Sequence, residues 1–533
     1  MNRILKILSF LFFSLSISAQ SWNSLIQIGA TGNESIDDLQ TDANQDLYIC
    51  GRFDNTFDIQ GTSLVNVGNA DVFLLKMNSD ASLDWAITGG SSSLDASVGI
   101  ALTETQIYWT GTYWLNASFG DLELSTEKSA RSIFLLELNM DGSINWDLSI
   151  HGTGTKNITD IKTDAIGNIY LTGSFSDSLF VMDRALSAKS ETDLFVLKLN
   201  ESHEIVWLIQ AGEEGVTLPE RMAIANNGDV ILAGAIQGIA TIGADVIDTN
   251  TSDDDVFVAR FSAGGEGLWG RKAGGVHGQF CSALTLDEDN NIYVGGNIIG
   301  VMKLSEDIII QSPNLANNLF LLKYDSDGIP IWAKSMGGFD PELVTDLKYK
   351  DDRLILSGYF RESLEIDDFF ATAAPNLNTS FLASFDLTGE SRWVKVINGD
   401  NQVFLDEIAF NDQTGEILGA GAFNGSVVFD TETYEVNGFF DVFIGNYGGI
   451  FTEVKETERI EVDFKIFPNP TSEYVFIETQ EEIFETEVFN LQGQSLLQSK
   501  NEKSIDVSKL ATGVYMVKIQ SKNASSSRVL IIQ

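Results

Sequence analysis

Seven segments of this chain align without gaps: DVFLLKMN (71–78), SIFLLELN (132–139), DLFVLKLN (193–200), DVFVARFS (255–262), NLFLLKYD (318–325), TSFLASFD (379–386) and DVFIGNYG (441–448). Their starts lie 61, 61, 62, 63, 61 and 62 residues apart. A second series keeps the same period and ends in glycine each time: LYICG (47–51), IYWTG (107–111), IYLTG (169–173), VILAG (230–234), IYVGG (292–296), LILSG (354–358) and ILGAG (417–421). Alternating apolar residues, β-branched and aromatic side chains and flanking turn residues mark both series as strands. Helical periodicity is absent, so the chain predicts an all-β array of one supersecondary unit repeated seven times.

Each repeat reads as four strands. Strand a is a segment such as SIDDLQTD (35–42), strand b ends in the glycine, and strand c carries Phe73, Phe134, Phe195, Phe257, Phe320, Phe381 or Phe443. Strand d carries a tryptophan fourteen residues after the start of c, at Trp85, Trp146, Trp207, Trp269, Trp332 and Trp393. Tight c–d turns such as NMDGSIN (139–145) and DSDGIPI (325–331) suit a hairpin. Four-stranded units around an axis are the blades of a β-propeller, which hide their edges by radial packing. The seventh repeat has Lys455 in place of its tryptophan, and the missing residue appears near the start of the chain as Trp22, 63 residues before Trp85. SWNSLIQIG (21–29) is therefore predicted as strand d of the last blade, closing a seven-bladed ring. A linear β-solenoid would need no such partner.

The repeat resembles the β-propeller repeat family of bacterial extracellular proteins over about 21–449, most closely at 168–175 and 193–200. The resemblance implies a fold and no common reaction. Aromatics that keep the repeat register are expected to pack between blades. Trp109 and Trp114 break it; Trp109 lies within strand b, so Trp114 is the ligand-contact candidate. The b–c connections, such as 54–70 and 176–192, are long and alternate in polarity, so each is expected to hold a small extra hairpin. They leave the same face as the d–a connections, and long loops on a rigid scaffold are where binding resides.

Both ends carry addresses. Arg3 and Lys6 precede the apolar run ILSFLFFSLSIS (7–18), and Ala19 suits a cleavage site, so 1–19 reads as a signal peptide. No stretch is long and apolar enough to predict a transmembrane segment. A propeller over 20–449 and an acidic linker over 450–462 precede a tail of short alternating strands over 463–533, expected to form a small antiparallel sandwich. This tail resembles the type A C-terminal sorting domain of the type IX secretion system of Bacteroidetes. The residues that carry the resemblance are Phe467-Pro468-Asn469-Pro470, the turn at Leu491-Gln492-Gly493-Gln494, and Leu510-Ala511-Thr512-Gly513-Val514-Tyr515. Gln494 and the final Gln533 depart from the family, which usually has basic residues there. The resemblance implies that the secretion machinery recognises the tail, leaving the protein at the outer-membrane surface or outside the cell.

Acids outnumber bases 76 to 33, a net charge of −43, which disfavours nucleic-acid and anionic-lipid partners. Two cysteines, Cys50 and Cys281, make no disulfide framework and are expected to be buried and apolar. His151, His203 and His277 fall in connections of different blades, and no Ser–His–Asp arrangement or strained GxSxG turn is present. Asp42, Asp164 and Asp287 end a strands ahead of turns and are expected to make Asx turns. The oxygen-rich loops 42–46 and 287–291 lack the spacing of a twelve-residue calcium loop, which leaves weak calcium binding as the one cofactor expectation. The turns at 386–393 and 139–146 are similar to the tryptophan-docking turn of quinoprotein propellers and to the Asp-box of sialidases, but their period and spacing are wrong for catalysis. The sequence favours an exported binding or adhesion module for a glycan or protein. The alternative is a propeller-based polysaccharide hydrolase, which would gather carboxylates over the channel.

Overall fold

The computed structural model describes residues 21–29, 32–126, 131–249, 253–312, 316–338, 341–374, 376–429, 432–448, 464–479, 483–489, 495–500, 502–521 and 525–533. The expected signal peptide, the acidic linker and Gly493 lie outside these residues. The chain divides into two compact units, Met1–Phe451 and Thr452–Gln533.

Among the described residues of the first unit, seven sets of four antiparallel strands follow the order a-b-c-d. Sheet 1 comprises Glu34–Thr41, Leu47–Phe53, Asp71–Met77 and Leu83–Ser91, and sheet 3 comprises Lys156–Thr163, Ile169–Phe175, Asp193–Leu199 and Ile205–Ala211. Sheet 7 takes a, b and c from Val403–Phe410, Ile417–Phe423 and Asp441–Gly448. Its fourth strand is Ser21–Ile28, paired antiparallel to Asp441–Gly448. Each a strand lies against the a strand of the next sheet, and that of sheet 7 lies against that of sheet 1. Buried apolar residues are likewise shared by consecutive sheets, including Ile444 and Val442 of sheet 7 with Ile36 and Phe73 of sheet 1. The arrangement is propeller-like, with its core distributed between the sheets.

The repeated glycine follows from a bulge. In every a strand the register slips by one residue, as between Ile36 and Asp38 or between Leu405 and Glu407. The bulge carries the backbone onto the glycine opposite: a β-carbon at Gly51 would lie 2.0 Å from the Ser35 carbonyl oxygen and 2.7 Å from the ring of Phe73. Gly173 meets the Asn157 carbonyl and Phe195 in the same way. Only glycine fits between bulge and phenylalanine, so the motifs of strands b and c share one period.

The tryptophans join each sheet to the next. Trp85 Nε1 donates to the Met140 carbonyl at 3.1 Å, Trp207 Nε1 to that of Ala263 at 3.0 Å, and Trp332 Nε1 to that of Leu387 at 3.2 Å. Each acceptor lies in the c–d turn of the following sheet. There Gly142, with φ +84°, leaves room for Trp85, which a methyl would approach to 2.8 Å. In sheet 3 the position is His203, whose ring stacks on Trp146 at 4.0 Å between centroids and whose Nε2 meets Glu137. Trp22 departs from this pattern. Ser24, not Trp22, pairs with Asn446, the register of the other tryptophans; Trp22 pairs with Tyr447 and packs on Phe429 and Tyr447. The strand closes the sheet with the same register slip as the other d strands, but its tryptophan stands two residues earlier, where they place Leu83, Ile144 or Ile205.

All seven b–c connections hold an extra hairpin. Three of them add a strand to the outer edge of the preceding sheet, as Asn116–Phe119 does to Leu83–Ser91, covering an otherwise open edge. Cys50 and Cys281 are buried and free. In the second unit a three-stranded sheet (Phe464–Phe467, Tyr474–Thr479, Ser504–Asp506) and a four-stranded sheet (Ile483–Phe489, Ser495–Lys500, Gly513–Ser521, Ser525–Ile532) share one apolar core around Val475, Val488, Val517 and Leu530.

Truncation of Trp207 to alanine is expected to cost about 3–5 kcal/mol of stability. Deletion of residues 20–30 is expected to lower the melting transition of the whole first unit, as read by calorimetry. A transition unchanged by that deletion would show that the ring does not depend on its N-terminal strand.

Candidate functional site

The a strands ring a central cavity of about 360 Å³, and all seven contribute to its lining. The bulge brings the charges here. Asp38, Asp160 and Asp346 each follow the register slip in their strand. Each carboxylate accepts from the next amide of its own strand (Leu39 at 2.8 Å, Ile161 at 2.8 Å, Leu347 at 2.7 Å). Its second oxygen accepts from a backbone amide of the following sheet: Ile100 at 2.9 Å, Met222 at 2.8 Å and Ile408 at 3.1 Å. Lys162 reaches Asp160 at 2.6 Å and Lys348 reaches Asp346 at 2.9 Å. These carboxylates tie neighbouring sheets together through charge-assisted hydrogen bonds.

Burial would raise Asp346, but Lys348, the Ile408 amide and Arg221 together hold it below its ordinary range. Asp38 is pushed up by burial, although Lys162 and Lys348 oppose it. Glu407 is pushed well up, first by burial and then by the Asp346 charge. Arg221 and Lys348 stay firmly charged against the pull of burial because carboxylates oppose it, Glu407 and Asp160 most for Arg221, and Asp346 and Glu407 most for Lys348.

The loop-face mouth of the channel differs. The bulge residues of sheets 1 and 7, Asp37 and Asp406, are both pushed up to about 7 by burial, with Arg52 pulling each of them down. Arg52 Nε lies 3.6 Å from Asp37 Oδ2. A cavity of about 380 Å³ opens here, lined among others by Glu34, Arg52, Asp406, Phe404 and Phe440. None of these residues is among the candidates that the sequence offers for a site.

Trp114 ends strand b of sheet 2 on the loop face and is 37% exposed, its amide 3.3 Å from Asp95 Oδ1. Trp109 is fully buried against Phe119 and Phe134, and its Nε1 donates to Ser97. Asp42, Asp164 and Asp287 receive turn amides such as Asn44, Asn168 and Asn291, and each also accepts from a tyrosine hydroxyl, Tyr48, Tyr170 or Tyr293. They are Asx turns, as expected. The three histidines do not meet: His151 stacks on Phe180, His203 on Trp146, and the His277 amide donates to Asp253. Among the described residues no group of three or more His, Cys, Asp or Glu is arranged to hold a metal ion, and no helix is long and apolar enough to cross a membrane.

In the second unit Phe467 is half exposed and stacks on Phe476, and Pro468 and Pro470 flank Asn469. The Asn469 side chain donates to the Val529 carbonyl and accepts from the Ile531 amide, fastening the last strand. Gly513 opens the Gly513–Ser521 strand, and the Tyr515 hydroxyl donates to the Ala511 carbonyl at 2.8 Å.

Residues 465–533 match the family model of the secretion system C-terminal sorting domain, the type IX tail expected from 467–470 and 510–515. The tail indicates export, with secretion or attachment at the cell surface. An uncharacterized WD repeat-containing protein of Acanthamoeba polyphaga mimivirus is 22% identical over 489 residues, covering 72% of this chain and 35% of the relative. The regulatory protein FlaEY of Caulobacter vibrioides is 26% identical over 203 residues, covering 36% of this chain and 21% of the relative. The alignments thus span about a third of the first relative and a fifth of the second. Among solved structures, the WD40 domain of Neurospora crassa Pan2 is similar at 10% identity and a TM-score of 0.41, covering 79% of this chain and 95% of that one. The phage phi92 endosialidase is similar at 7% identity and a TM-score of 0.37, covering 96% and 88%. The fold rests on the strand pairing above rather than on these likenesses.

The raised carboxyls give stability a definite pH dependence. Unfolded, Asp37 and Asp406 release protons near 4; folded, near 7. Between those values the folded chain holds the extra protons, so stability falls as pH rises through the window. The melting temperature is expected to rise by a few degrees on going from pH 7.5 to 5.5. Substituting asparagine at both positions should flatten that slope; an unaltered slope would remove them as its source.

Proposed function

We propose that this protein is an exported seven-bladed β-propeller that acts as a binding or adhesion module at the cell surface or in the medium, engaging a glycan or protein through its loop face. Residues 1–19 are its signal peptide, 450–462 an acidic linker, and 463–533 a β-sandwich that the type IX machinery of a Bacteroidetes-type cell handles. The observation that carries this reading is the apolar surface offered by the b–c connections of several blades. Val67, Trp114, Leu115, Met182, Phe370 and Phe439 are all exposed there. Exposed aromatics on loops held by a rigid scaffold suit recognition. Trp114 is the contact residue that the sequence favours.

One observation favours a second reading, a polysaccharide hydrolase: the two carboxyls at the mouth, Asp37 and Asp406, are pushed to about 7, where a carboxyl can serve as a general acid. Weak calcium binding stays an open proposal, tested by calorimetry at millimolar calcium.

A panel of polysaccharides, glycans and surface proteins tests the leading reading. Saturable binding that Trp114→Ala weakens severalfold is expected. Release of reducing ends from a bound polysaccharide would favour the hydrolase. Binding that survives changes to every b–c hairpin would contradict loop-face recognition.

A further inference from the structure

We propose that the cavity between blades 7 and 1 binds a neutral sugar residue, Arg52 and Asp406 holding its hydroxyls and Phe404 and Phe440 its apolar face. This rests on the loop-face reading above and gives it a place and a ligand class.

The first support is a break in the repeat. Arg52 follows the conserved-register glycine of strand b, and at the six equivalent positions no charged residue stands. Phe440 precedes strand c, and none of its six equivalents is aromatic. Asp406 and Asp37 occupy bulge positions of adjoining blades; the equivalent residue is also acidic in Glu220 and uncharged in Val98, Thr159, Ser282 and Thr345. Two departures, Arg52 and Phe440, meet the Asp406 carboxyl in one cavity of about 380 Å³. That volume falls within the roughly 300–1,000 Å³ of small-molecule sites.

The second support is unspent hydrogen bonding. Asp38, Asp160 and Asp346 have their oxygens committed to backbone amides and to Gln40, Lys162 and Lys348 respectively. Asp54 beside the cavity is also committed, to the Asn33 amide and side chain at 2.8 and 2.6 Å. Among the described residues Arg52 has only its ion pair with Asp37, and no hydrogen bond reaches Asp406. Arg52 is 42% exposed at its side chain, so its guanidinium end faces solvent while Nε is buried.

The ligand class follows from the chemistry. A donor-only guanidinium and an acceptor carboxylate lining one cavity are matched by groups that accept from one and donate to the other, and hydroxyls do both. The Phe404 ring lies edge-on to Tyr359 at 5.0 Å and 6.0 Å from Phe440, forming an aromatic wall for the C–H face of a sugar ring. A polyanionic glycan would meet a chain of net charge −43. A cationic ligand would meet Arg52. A neutral sugar meets neither penalty.

Calorimetric titration of the full exported chain tests this with cello-, malto-, manno- and xylo-oligosaccharides, an oligogalacturonate and a lysine-rich peptide. A saturable signal is expected with a neutral oligosaccharide. At pH 7.5, where Asp406 is largely ionised, Asp406→Asn and Phe440→Ala should each weaken it at least about tenfold, with a cooperative thermal transition retained in both variants. Should Asp406→Asn fail to fold, Phe440→Ala at the rim carries the same reading. Neutral binding unmoved by either variant, or binding of the oligogalacturonate or the peptide alone, would overturn the proposal. Binding of any partner that follows Trp114→Ala but not these variants would overturn this site and leave loop-face recognition standing. No binding dependent on the loop face would overturn both.

Discussion

The pairing of Ser21–Ile28 with Asp441–Gly448 is the contact on which the rest of the first unit depends. No sheet owns a core of its own, since each apolar cluster is shared by neighbours. A radial array of this kind is stable only when the last sheet meets the first, because an open junction would expose the apolar faces of both. The chain solves this by lending its first strand to its last sheet, so that unfolding at either end opens the same junction. Closure of that sort couples the sheets into one cooperative body, unlike an open solenoid whose terminal repeats fray separately.

One local device, the bulge in strand a, supports both architecture and chemistry. It forces glycine into strand b, seats the phenylalanine of strand c over it, and in five of the seven sheets sets a charged residue at the channel. In sheets 1, 3 and 6 that residue is an aspartate whose oxygens tie two neighbouring sheets. Where sheets 7 and 1 meet, the residues within the slip add Asp37 and Asp406 beside Arg52. Polar groups committed to the backbone serve the ring; those with bonding capacity left over mark where a ligand would be held. Charge count alone would not separate the two sets, whereas hydrogen-bond accounting does.

The strands were legible because spacing is a chain-local property. A constant interval between Gly-ended and Phe-bearing segments could arise only from one repeated hairpin set, and Asp42, Asp164 and Asp287 announced their turns. The hairpins in the b–c connections were legible from their alternation. The register of Trp22 was not: its strand carries the same slip as the other d strands, and the tryptophan stands two residues earlier, at the position that Leu83, Ile144 or Ile205 holds elsewhere. The channel charges were also missed, although a signal existed: Asp38-Leu39-Gln40, Asp160-Ile161-Lys162 and Asp346-Leu347-Lys348 recur at one register. They look like ordinary polar positions of an alternating strand until the bulge turns them to the centre. The cavity at the junction of sheets 7 and 1 is still less legible, because it joins residues nearly four hundred positions apart in the chain.

Hydrogen exchange of the exported chain, read peptide by peptide, tests closure most directly. The amides of Ser21–Ile28 are expected to be protected to the same degree as those of Ile205–Ala211, an internal strand of the same kind. Exchange of Ser21–Ile28 at the rate of an unstructured segment, with Asp441–Gly448 still protected, would contradict it.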